Sequence, residues 1–249
     1  MSRKLSRSIT ANPLEEAGTG SGVGGEDRVL RSIVEDFVGA RAEEYDAVAR
    51  DIWEHPEVAF AEERSARVYR ERLASRGFAV TEYPEMPNSF VAEKTIGAGG
   101  GATVSGKKRN AAGDGAGSLV KEPIIGFMGE YDALPGMSQA CDIERRPETA
   151  GAPGHACGHN LLGAGSLVAA EALAHLLESR GISGIVRYYG CPAEESLGRI
   201  PIVKAGRFDD CSAVLTWHPA DVNTPHRYLS SANLAAVFSF KGRASHAGM

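Results

Sequence analysis

Gly154-His155-Ala156-Cys157-Gly158-His159-Asn160 places a thiol and an imidazole two positions apart, in a glycine-lined bend that leads into a helical pattern. Side chains at i and i+2 do not share a face of an α-helix. From a bend both can point into one cavity, where glycines let the backbone approach an ion closely. Thiolate and neutral imidazole are ligands that Zn²⁺ prefers, so the stretch reads as half of a metal site completed from elsewhere in the chain. Taken alone, a Cys-x-His pair is more often a small buried residue beside a polar turn residue. Two later stretches reverse that balance, because Pro192-Ala193-Glu194-Glu195 and Trp217-His218-Pro219 each follow an apolar, strand-like run.

Outward from this centre, the chain reads as α/β. Residues 1–26 are rich in Ser, Gly and polar residues and are expected to form a flexible leader. From Asp27, apolar residues recur at helical spacing through Leu30, Ile33, Val34, Phe37, Val38, Tyr45, Val48 and Ile52. This predicts one long amphipathic helix, broken by His55-Pro56. A second helix is expected over about 61–74, closed by Arg76-Gly77. Strands are predicted over 78–83 and 88–96, and a Gly-rich surface insertion over 97–118. The Lys107-Lys108-Arg109 triplet within that insertion reads as solvated charge.

The run 122–129 has the continuous apolar character of a strand buried on both faces, with Glu130 and Asp132 just past its end. In open α/β sheets, ligand sites gather outside the carboxyl ends of such strands. Asn160 is expected to cap a helix reaching Gly181. Further strands are predicted over 185–190, delivering Cys191 and the acidic pair, over 213–216, delivering Trp217 and His218, and over 237–242.

Composition narrows the chemistry. A length of 249 residues suits one large domain, or one domain and the start of another. The apolar share of 43% and charged share of 24% are ordinary, and a net charge of −5 gives no reason to expect nucleic acid or an anionic membrane as partner. Cys141, Cys157, Cys191 and Cys211 are widely spaced, which argues for free thiols in a reducing, cytoplasmic setting. The basic start, Met1 to Ser8, lacks the apolar core of a secretory signal.

The donor types at the strand ends suit Zn²⁺, Mn²⁺, Co²⁺ or Ni²⁺ better than Ca²⁺. Of two adjacent carboxylates, one can hold a metal while the other takes a proton from water that the metal has acidified. By position alone, Glu194-Glu195 would be a solvated helix start. Asp132 would be a turn residue, an orienting partner for a ligating His, or a ligand. His55, His155, His175 and His226 read as surface or structural residues. A Cys-His nucleophile built on Cys157 and His159 is disfavoured by the two-residue spacing.

Gly-Glu-Tyr-Asp-Ala-Leu-Pro (129–135), the 154–160 motif, Gly-Cys-Pro-Ala-Glu-Glu (190–195), Trp-His-Pro (217–219) and Gly-Arg-Ala-Ser-His-Ala (242–247) occur in that order. The set resembles peptidase family M-twenty, the zinc amidohydrolases that include aminoacylases, carnosinases and aminobenzoyl-glutamate hydrolase. The resemblance runs from about residue 28 to the last residue, and is strongest to the branch of aminobenzoyl-glutamate hydrolase and of dipeptidases acting on β-alanyl or Xaa-basic dipeptides.

It implies a mixed-sheet catalytic domain over 27–229 with helices on both faces, then the start of a lid and dimerisation domain over 230–249. It also implies two metal ions, with Cys157 bridging, His159, His218 and Glu195 as ligands, Glu194 as general base and Asp132 beside the ligands. His246 would be the lid histidine that reaches a partner subunit's site in a homodimer. The implied substrate is a small dipeptide or N-acyl amino acid, cleaved by metal-activated water. Relatives often carry a ligand His where Glu130 stands, although the Cys-containing branch does not, so Glu130 is left outside the ligand set. Because relatives continue into the rest of the lid and a final His ligand, the chain is expected to be an N-terminal part. An inactive fragment that pairs with a full-length subunit is the alternative.

Overall fold

In the computed structural model, residues 24–97 and 122–222 are described, with 224, 236, 238, 239, 241 and 242. The leader expected over 1–26 lies outside them except at its end, where Gly25 and Glu26 already belong to a helix, and so does the insertion after Gly97. The chain divides into two compact units, Met1–Pro219 and Ala220–Met249, against a sequence boundary placed at 229. In the second unit no helix or strand occurs among the described residues. The strand expected over 237–242 includes Val237 and Phe240, which lie outside the description, and His246 lies outside it as well.

The first amphipathic stretch forms two helices rather than one, α1 (Gly25–Gly39) and α2 (Ala42–Glu54). Gly39 weakens the helix, and Arg41 leaves helical geometry at φ −128° while its guanidinium donates to the Phe37 carbonyl at 3.2 Å. The break lets two separate apolar faces, with Phe37 on one and Tyr45, Ala49 and Ile52 on the other, pack against the same later helix. Helix α3 (Glu63–Ser75) follows, burying Ala66, Tyr69 and Leu73. Its first turn is capped from outside by Glu57, whose two carboxylate oxygens accept the Arg64 and Ser65 N–H groups at 2.9 and 2.7 Å.

Five strands follow: β1 (Ala79–Glu82), β2 (Phe90–Ile96), β3 (Ile124–Gly129), β4 (Gly184–Gly190) and β5 (Ala213–Leu215). They form one sheet in the order β1-β2-β4-β3-β5. β2 is antiparallel to both β1 and β4, whereas β3 is parallel to β4 and to β5. Gly129 pairs with Gly190, and Phe127 with Leu215, so three parallel strands end at one edge of the sheet.

Alternation along the strands divides two apolar clusters. Phe90, Ala92, Val186 and Tyr188 face helices α1–α4, with the Tyr69, Tyr131, Tyr188 and Phe90 rings meeting at centroid distances of 5.5 to 5.9 Å. Val91, Met128 and Tyr189 face the opposite side, where short helix α5 (Arg199–Lys204) brings Ile202. Helices therefore cover both faces, unequally. β3 is less enclosed than its apolar run predicts: Ile125 and Phe127 on the α1–α4 face and Met128 on the α5 face are only partly buried.

Helix α4 (His159–Arg180) lies between the sheet and α1 and α2. Its length and composition would let it cross a membrane, but its apolar character here serves packing on two sides at once. The cap differs from the sequence expectation. Gly158, at φ 78°, is the N-cap residue, while Asn160 lies inside the helix and donates its side-chain amide to the Ala49 carbonyl at 3.2 Å. Asn160 thereby fastens α4 to α2 instead of closing the helix end.

Candidate metal centre

Every candidate donor described sits at the edge where β3, β4 and β5 end. β3 runs into Glu130 and Asp132, β4 into a tight turn holding Glu194 and Glu195 (a 3-10 turn over Glu194–Ser196), and β5 into Trp217 and His218. The bend before α4 adds Cys157 and His159. Gly158 is needed there twice, for its positive φ and because a Cβ would come within 2.9 Å of Pro219 Cγ, the residue after His218. Trp217 lies flat on α4 where Gly165 leaves room, and its indole N–H donates to the Leu162 carbonyl at 3.2 Å. This contact carries His218 towards Cys157.

His159 is the hub. It is 0% exposed, and its Nδ1 lies 2.8 Å from Asp132 Oδ1. The other Asp132 oxygen accepts the Glu195 N–H at 3.1 Å, so one carboxylate sets both the imidazole and the acidic turn. With Nδ1–H given to Asp132, the lone pair on Nε2 points into the site, where that atom is buried without a hydrogen-bond partner among the described residues. Orienting a ligating imidazole through its second nitrogen is how carboxylates serve metal sites.

Two donor triplets share this imidazole. Cys157, His159 and His218 form one, and Glu130, His159 and Glu194 the other, the donor atoms of each lying within 4.8 Å of one another. Cys157 Sγ is 3.2 Å from His218 Nε2, and the two imidazole rings meet nearly at right angles, 5.7 Å apart. Glu130 Oε2 and Glu194 Oε2 lie 3.3 and 3.9 Å from His159 Nε2.

The electrostatics point one way. Burial first, then a hydrogen bond and the charge of Glu195, with Glu194 and Asp132 behind it, push the Cys157 thiol up to about 12. Burial opposes a charge on His159, yet Asp132 and the acidic pair outweigh it and raise the imidazole above its ordinary value. Burial also raises the Glu194 carboxyl, with Glu195 and Asp132 adding to the effect against His159 and His218. A thiol, an imidazole and several carboxylates facing one another carry an excess of negative character that a divalent cation would neutralise. An orphaned buried Nε2 beside thiol, imidazole and carboxylate donors fits a Zn²⁺-like ion.

No family model matches the chain. It is 38% identical over 217 residues to one of the subunits of p-aminobenzoyl-glutamate hydrolase from Escherichia coli K12, an alignment covering 86% of this chain and 40% of that protein. Over most of its length the chain thus resembles the amidohydrolases of peptidase family M-twenty. It is also 30% identical over 240 residues to Xaa-Arg dipeptidase of Mus musculus, covering 93% of this chain and 47% of the relative. The chain thus spans 40% to 47% of the length of these curated relatives. A solved structure described as an aminohydrolase from methicillin-resistant Staphylococcus aureus shares the fold, with a TM-score of 0.54 at 23% identity over 74% of this chain and 41% of the other.

The sequence-derived residues Cys157, His159, His218, Glu194 and Asp132 come together at one strand edge. Glu195 reaches the same place differently: its N–H binds Asp132 and its carboxylate lies against the Cys157 thiol, while neither donor triplet includes it. His155 is buried and bonded through Nε2 to the Ile52 carbonyl at 3.1 Å, a structural role. Glu130, left outside the ligand set by the sequence reading, joins a donor triplet, and the signal for it was its position two residues before Asp132 on an extended chain, which puts both side chains on one side. Arg199, at the start of α5, forms an ion pair with the Glu130 carboxylate and had no motif to announce it.

Proposed function

We propose that this chain forms the metal-binding part of an amidohydrolase that cleaves the amide bond of a small dipeptide or N-acyl amino acid. The observation that carries the reading is the buried imidazole of His159, oriented by Asp132 through Nδ1, with an Nε2 that has no hydrogen-bond partner among the described residues and is faced by thiol, imidazole and carboxylate donors. Cys157, His159 and His218 would hold one divalent ion. Glu130 and Glu194 stand with His159 beside a second position, and Glu195 is the further carboxylate ligand inferred from the family. Zn²⁺ suits this donor set, with Mn²⁺, Co²⁺ or Ni²⁺ as alternatives.

When bound, the ion supplies positive charge that acidifies water and polarises the scissile carbonyl. Glu194 is placed to take the proton from the attacking water and hand it to the leaving amine. A carboxyl raised by burial holds a proton more readily than one in water, as that relay requires. Asp132 fixes the His159 tautomer, and Arg199 balances the charge of Glu130. A nucleophilic Cys157 is disfavoured despite its contact with His218, because a thiol pushed up to about 12 is almost wholly protonated near neutral pH.

The names of the relatives, p-aminobenzoyl-glutamate hydrolase and Xaa-Arg dipeptidase, support a substrate with an amide or peptide bond to an amino acid. The homodimer and the oxyanion role of His246 rest on family resemblance, and the cytoplasm is the compartment that four free cysteines favour. Elemental analysis of the purified chain, with hydrolysis of an aminobenzoyl or β-alanyl dipeptide followed on the same samples, tests the proposal. It expects about two equivalents of divalent metal, lost in Cys157→Ala. A folded chain that takes up no metal would overturn it.

A further inference from the structure

Glu62 is a charged residue with 0% exposure, immediately before α3 and far in sequence from every donor. Its Oε1 accepts the N–H of Ala193 at 2.7 Å, across a separation of 131 residues. The backbone at Phe60 and at Glu62 itself also favours the charged carboxylate, against burial, while Oε2 is buried with no hydrogen-bond partner among the described residues. A carboxylate this enclosed is costly unless the backbone it holds is worth holding.

That backbone is unusual. Phe60 and Ala193, both beside Glu62, have positive φ of 72° and 53°, a region that residues with a Cβ seldom enter, and Leu197 follows at 61°. Ala193 is the pivot of the acidic turn. Its carbonyl accepts the Ser196 and Gly198 N–H groups at 3.0 and 2.7 Å, and the turn then sends two consecutive carboxylates to different neighbours. Glu194 faces His159, and Glu195 faces Cys157 while its N–H meets Asp132. Relaxing Ala193 to an ordinary conformation would rotate both acids together.

We propose that Glu62 is a positioning residue for the Glu194-Glu195 pair: its buried carboxylate, by gripping the Ala193 N–H, locks the strained turn that aims one acid on each side of the metal centre. Its consequence for metal affinity rests on the metal reading given above, whereas its hold on the turn does not.

The test compares the full chain with Glu62→Leu, which fills the space without an acceptor, Glu62→Gln, which keeps an oxygen for Ala193, and Leu73→Ala, a core change on α3 away from the site. Zinc affinity is measured by competition with a chromophoric chelator, and native-state amide exchange is followed over 193–198. Glu62→Leu is expected to lose about 10- to 100-fold in zinc affinity, with faster exchange confined to the turn, and Glu62→Gln to recover most of both. Leu73→Ala should weaken the fold while leaving zinc affinity and relative exchange in the turn unchanged.

Unchanged exchange in Glu62→Leu, or an equal zinc loss in Leu73→Ala, overturns the assignment. A wild-type chain that binds no zinc removes the metal reading alone, and exchange in the turn then decides for or against Glu62. Should Glu62→Leu fail to fold, the wild-type Ala193 amide decides: core-like protection supports the grip, and exchange at the rate of an open turn overturns it.

Discussion

Helix α4 buries acids at two places, and the two are finished differently. Halfway along it, Glu171 is answered by charge: Tyr45 donates to it at 2.7 Å, and Arg72 and Arg76 approach at 3.1 and 3.4 Å, with Glu44 sharing both guanidinium groups. At its head, only His159 and Arg199 stand against Glu130, Asp132, Glu194 and Glu195. The first cluster sets two guanidinium groups against two carboxylates and serves stability. The second leaves carboxylates in excess, which a cation would neutralise, and that difference separates a structural ion network from a binding centre better than burial does.

The comparison breaks most visibly at Glu171. Glu171→Ala removes the buried acceptor of Tyr45 and leaves Glu44 alone against Arg72 and Arg76, and should cost about 3 kcal/mol in urea unfolding, while zinc affinity of the folded protein stays unchanged. An equal loss of zinc affinity would show that the two clusters are one system. At the other end, Cys157→Ala should lower zinc affinity by more than the roughly 100-fold that loss of an orienting partner can cost, with little effect on urea unfolding of the metal-free chain. Asp132→Asn keeps the shape but weakens the hold on His159, and should fall within that 10- to 100-fold range, read by the same chelator competition.

The smallest effect concerns protons. A thiol raised to about 12 carries its proton throughout neutral pH, so metal binding must expel it. Affinity should therefore rise with pH, by about tenfold per unit between pH 6 and 8 from this group, and the slope should flatten in Cys157→Ala. A slope that persists in that variant would move the released proton to another residue.

The candidate site was legible as a group because its motifs sit at strand ends or on the bend that follows, and parallel strands ending together made the convergence of Cys157, His159, Glu194, Glu195 and His218 a matter of topology; that Glu194 rather than Glu195 would join a donor triplet was not legible. Glu62 and Arg199 were not legible. Their roles come from contacts across the fold, Glu62 with Ala193 and Arg199 with Glu130, and no local pattern encodes a partner so distant in sequence. The break after Gly39 was missed for a related reason, since both halves keep helical periodicity and only their shared packing against α4 shows that the chain turns. Asn160 had the chemistry of a cap, but the Ala49 carbonyl claimed it.

The three-residue strand β5 is last by sequence among the described strands and, among the described residues, pairs with β3 alone. It also delivers His218 to Cys157. During folding, the helices and the β2-β4-β3 pairings can form before β5 docks, and the chain must close a long loop for that final pairing. Capture of a metal ion by the Cys157 and His218 pair would therefore latch the docked strand in place, so that zinc present during refolding should raise the yield more than zinc added afterwards.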